Sequence, residues 1–161
     1  MADLPGREMW GVVAKPGYTF TDGDEVLNLR GRDPATIVSV ESLGGSKAFQ
    51  FLGAKVVGPK RFFTTIQRID RWPPKHIRGA RRIMDAVGQT VTPQHTNWHR
   101  QPYELLLGYR VIADTYDVRT GVRVVYRVDG KTFQVTWPDL LVACSTSQRF
   151  NKCEDHAWAT T

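Results

Sequence analysis

Cysteine is scarce in this chain, Cys144 and Cys153 being its only two. Two cysteines cannot form the disulfide framework that small secreted domains use in place of a core. No run of 18 apolar residues occurs, which leaves no candidate for a membrane-crossing helix and no membrane partner. The opening Met1-Ala2-Asp3-Leu4-Pro5 has no basic region followed by an apolar stretch, so export by a signal peptide is not expected. A cytoplasmic location, or a place in a virion or other particle, follows as the expectation. Both cysteines are then expected as free thiols, with a Cys144–Cys153 disulfide as the alternative. Repeats of fixed period and low-complexity runs are also missing, which argues against a solenoid or a disordered linker.

The familiar signatures of catalysis are missing too. The chain contains no nucleophile elbow, phosphate-binding glycine loop, dinucleotide fingerprint or metalloprotease helix motif. Glu154, Asp155 and His156 set two acids beside a base, but in a polar tail such neighbours read as solvated charge. His95 and His99 stand four apart, and Cys144, Cys153 and His156 lie near the C-terminus. Without a close Cys-x-x-Cys pair these do not have the spacing of a zinc finger, so no metal and no cofactor is expected. Sites built from residues far apart in sequence leave no local motif, so catalysis is disfavoured by this search and not excluded. The expectation is a protein that is not an enzyme and works by binding.

Short β-type runs fill the first half: Met9 to Ala14, Glu25 to Leu29, Thr36 to Val40, Ala48 to Leu52 and Phe62 to Ile69. Turn-forming clusters separate them, among them Lys15-Pro16-Gly17, Asp22-Gly23-Asp24, Arg32-Asp33-Pro34 and Gly44-Gly45-Ser46. With 41% apolar residues the chain can build an ordinary core, and its 161 residues fit one compact domain or two small modules. From Asp22 to Gly45 the pair Gly23-Asp24 leads into Val26, Leu27 and Leu29, then a turn at Gly31 to Pro34, then the β-branched run Thr36 to Val40. This stretch of the chain resembles the opening of small SH3-like β-barrels. Such barrels bind nucleic acid, peptides or other subunits, so the resemblance implies a binding module.

Pro73-Pro74 interrupts the strand pattern, and Ile77, Ala80, Ile83, Met84 and Val87 then recur at helical spacing up to Gly88, predicting an amphipathic helix over residues 75–87. Thr90 to Pro102 reads as a connecting loop. Beyond it, Asp129-Gly130 suits a two-residue type I′ turn between Val122–Val128 and Lys131–Trp137. Pairing Val128 with Lys131 places Tyr126 opposite Phe133, Val124 opposite Val135 and Val122 opposite Trp137, all on one face. Pro138 is expected to end the second strand, and Tyr103 to Val118 to supply one or two more strands. The expected fold is therefore mostly β: two small antiparallel modules, an SH3-like barrel at 1–72 and a hairpin-containing module at 103–144. A helix and loop at 73–102 join them, and a C-terminal arm follows at 145–161, with Phe150 and Trp158 as its anchors.

Charge is unevenly spread. Lys60, Arg61, Arg68, Arg71, Lys75, Arg78, Arg81 and Arg82 face one acid, Asp70, within residues 60–82, whereas the whole chain carries +6. Phe62, Phe63 and Trp72 are interleaved with them, the combination that phosphate contact and base stacking use. A solvated face whose aromatics belong to the core is the competing, simpler reading. The leading expectation is a structural or assembly subunit of a homo- or hetero-oligomeric complex, such as a phage or other nucleoprotein particle. The alternative is a nucleic-acid-binding protein acting alone through the 60–82 face.

Overall fold

The computed structural model describes residues 9–27, 29, 31–58, 66–77, 79–80, 82–93 and 103–147, which form ten strands and no helix. One sheet contains, in spatial order, β1 (Met9–Val13), β10 (Lys131–Cys144), β9 (Asp117–Val128), β3 (Ala35–Gly44) and β7 (Thr90–Val91). The other contains β5 (Ile66–Ile69), β2 (Thr19–Leu27), β8 (Tyr103–Val111), β4 (Phe49–Val57) and β6 (Ile83–Asp85). The chain is mostly β, with a sheet curled into a half-barrel. Every pairing is antiparallel except β1 with β10, which is parallel. Each sheet takes strands from both halves of the sequence. The two halves thus share their sheets and one core, where two separate modules were expected.

The β9–β10 hairpin forms in the expected register, with Tyr126 opposite Phe133, Val124 opposite Val135 and Val122 opposite Trp137. Asp129 and Gly130 both have positive φ, 48° and 74°, as a type I′ turn requires. Pro138 does not end β10. The strand passes through it and pairs onward to Cys144, with a register shift between Pro138 and Leu141 absorbing the residue that cannot donate a ladder hydrogen bond.

Asp22-Gly23-Asp24 likewise makes no turn. It lies inside β2, where register shifts occur against both β5 and β8. The bulge changes which parity faces inward: Phe20 and Asp22 are buried before it and Leu27 after it, five residues from Asp22. The main core lies between the sheets and joins Phe20, Phe49, Leu105, Leu107 and Tyr109 of one to Ile37, Val122, Val124 and Leu141 of the other.

The helix expected at 75–87 is not there. Gly79 has φ +76°, the Ala80 amide donates to the Ile77 carbonyl in an isolated turn, and Ile83–Asp85 pairs with Val57, Val56 and Lys55 of β4. Positive φ at Gly79 breaks a right-handed helix at its centre. What looked like helical spacing belongs to a strap that crosses the second sheet on the face turned away from the first. Ile77 is buried against Val57 and Leu106, with Trp72, Ala80 and Ile83 around them. Trp72 lies directly on Gly108 of the central strand, where a Cβ would overlap the indole ring. Only glycine permits this approach.

Candidate functional site

The strap carries the described part of the predicted basic face. By burying Trp72 and Ile77 it leaves Arg71, Lys75 and Arg82 exposed, while Arg68 is exposed on β5. Arg68 is partly neutralised, its Nε lying 3.4 Å from Asp70, whose carboxylate also accepts from Tyr18 Oη at 2.5 Å. Burial and that hydrogen bond push the Tyr18 hydroxyl up to about 12. Thr21 Oγ1 donates to the Arg71 carbonyl at 2.6 Å and fixes the strap's start to β2. Lys60, Arg61, Arg78 and Arg81, with Phe62 and Phe63, lie outside the described residues. Trp72 is turned onto the sheet, as the simpler reading of the aromatics supposed.

Lys75 and Arg82 meet in a cleft of about 390 Å³ with Lys55 and His76, over a base of Pro74, Ile77 and Ile83. Lys55 Nζ is 2.7 Å from Asp85 Oδ1. Lys75, His76 and Arg82 make no ion pair among the described residues. Lys55 reaches this group from β4, twenty residues upstream of Lys75, so no local sequence pattern could have included it.

A second cleft, of about 470 Å³ and apolar, opens between the sheets and is lined by Val26 and Leu27 of β2, Ile37 of β3, Tyr126 of β9, and Val135 and Trp137 of β10. Two apolar side chains beside it are part-exposed. Val26 is 39% and Phe133 45% exposed. Phe133 stacks on Tyr126 at 5.7 Å between ring centroids, extending the apolar lining along the hairpin.

The third concentration of chemistry is sealed in the core. Arg119 of β9 is fully buried, and its guanidinium pairs with Asp22 at 2.9 Å and with Asp139 of β10. It also donates to Tyr109 Oη at 2.8 Å, and that hydroxyl donates to Ser42 Oγ at 3.2 Å. These residues come from β2, β3, β8, β9 and β10, so the cluster bridges the sheets. Burial pushes the Asp22 carboxyl up to about 6, against the pull of Arg119 and with the help of Asp139. At 4% exposure Asp22 offers no access to a substrate.

Cys144 is disulfide-bonded, which overturns the expectation of free thiols. It is therefore no thiolate for zinc, and His95, His99, Cys153 and His156 lie outside the described residues. Among the described residues no three acidic, histidine or cysteine side chains are grouped to hold a metal. Nor is any helix long and apolar enough to cross a membrane among them. No protein-family model matches the chain, and no curated protein is similar to it.

Proposed function

We propose that the chain is a non-enzymatic assembly subunit of a larger complex, a phage or other nucleoprotein particle, that docks a second copy of this chain over the apolar cleft between its sheets. The cleft carries the reading. An apolar recess continuous with an exposed stacked aromatic pair favours burial against apolar side chains of a partner. Each Å² of such surface removed from water contributes about 25 cal/mol. The net charge of +6 suits a particle that packs nucleic acid. The resemblance of residues 22–45 to SH3-like barrels supports a binding module. Sealing of the Arg119 cluster supports a structural role for the molecule's main acid–base group.

Mass in solution tests the proposal. The wild-type chain should sediment above its 18.2 kDa monomer mass in a concentration-dependent way. Val26→Asp/Phe133→Asp, which alters two exposed positions, should sediment as a folded monomer. A wild-type chain that stays monomeric up to its solubility limit would overturn the proposal.

A further inference from the structure

The cationic cleft under the strap is independent of the apolar docking surface, on the other side of the second sheet. It is concave, and two rigid prolines, Pro73 and Pro74, form part of its wall. Three exposed groups able to carry positive charge, Lys75, His76 and Arg82, converge on it without ion-pair partners among the described residues. Lys55 Nζ, which also lines it, is paired with Asp85 at 2.7 Å. Arginine supplies a planar fork of donors, and the lysines supply point charges. No phenylalanine, tyrosine or tryptophan is among the described lining residues, and Trp72 is committed to Gly108. The chemistry that the described lining supplies is that of oxyanion contact.

We propose that this cleft binds phosphate groups, contacted by Lys75, His76 and Arg82 with Lys55 behind them. A volume of about 390 Å³ accommodates two or three linked phosphates. Such groups occur in a nucleotide's phosphate chain or along a nucleic-acid backbone. Contacts from these four side chains to phosphate oxygens carry no base-sequence information in either case.

The test uses the full chain, a fluorescent single-stranded deoxythymidine oligomer and inorganic triphosphate as competitor. Wild type should bind the oligomer and release it to triphosphate, with affinity falling steeply as salt rises. Lys75→Glu/Arg82→Glu should weaken binding by about tenfold or more. Arg127→Glu/Lys131→Glu makes the same change in net charge on the other sheet, and should stay within about twofold of wild type. Lys75→Gln/Arg82→Gln guards against misfolding of the first variant: it should lose about 1.4 units of the log–log salt slope on a single strand while keeping the wild-type melting temperature. Triphosphate binding without oligomer binding assigns the site to nucleotide-like ligands, and oligomer binding that triphosphate does not displace assigns it to a polymer backbone. Equal losses in the two charge-reversal variants, equal displacement by polyglutamate charge for charge, or no binding of either phosphate probe would overturn the proposal.

Discussion

Replacing Asp22 by asparagine removes a buried carboxyl whose titration is moved into the mildly acidic range, and keeps its shape. In the folded chain Asp22 titrates at about 6 because burial disfavours its charge, against an ordinary 3.8 when unfolded. A folded-state value above the unfolded one means that the native protein holds the extra proton between those limits. Asp22 therefore adds stability as pH falls through 6 towards 3.8, and that stability is lost as pH rises through 6. Two pH units correspond to about 3 kcal/mol, or roughly 6–12 °C in melting temperature for a chain of this size. The Asp22→Asn variant has no group that titrates at this position. The difference in unfolding free energy between wild type and Asp22→Asn, followed from pH 7 to pH 4 by urea denaturation, should move in favour of wild type by about that amount. A difference that is flat with pH refutes the reasoning. So does a wild type that loses ground on acidification, the behaviour of an ordinary salt-bridged carboxylate.

Arg119→Met leaves Asp22 and Asp139 buried without their cation, and should cost about 3–5 kcal/mol at pH 7; denaturant midpoints measure it. Gly108→Ala drives a methyl into the Trp72 ring, so the strap must lift; a loss of about 1–3 kcal/mol with a changed tryptophan emission is expected, and wild-type stability would contradict the packing. Because Cys144 is disulfide-bonded, alkylation of the denatured, unreduced protein followed by peptide mapping should leave Cys144 unlabelled, and a labelled Cys144 would contradict it.

Local chemistry was readable from the sequence and long-range pairing was not. The hairpin at Asp129-Gly130 was legible in full because turn type, alternation and register are set within sixteen residues. Most other strands showed in their β-branched and aromatic runs. Their partners did not show, since β1 pairs with β10 across more than a hundred residues. The strap was misread because Ile77, Ala80 and Ile83 have the spacing of a helix face but reach the sheet through an irregular chain with Gly79 at positive φ. Asp22-Gly23 was misread for a related reason: residues that favour turns also form bulges, and only the neighbouring strands decide which. Of the candidate sites, the exposed cations of the strap were visible as a run of charge. Lys55 in the cleft and the grouping of Asp22, Arg119 and Asp139 were invisible, because contacts across the fold create them.

The assembly reading is tested most directly by hydrogen exchange on the chain at high concentration, compared with Val26→Asp/Phe133→Asp at the same concentration. The expected result is slower amide exchange in the assembled wild type at the cleft rim, within Val26–Leu27 and Val124–Trp137, with residues 66–77 unchanged. Protection confined to residues 66–77, or none at the rim, would contradict docking through the apolar cleft.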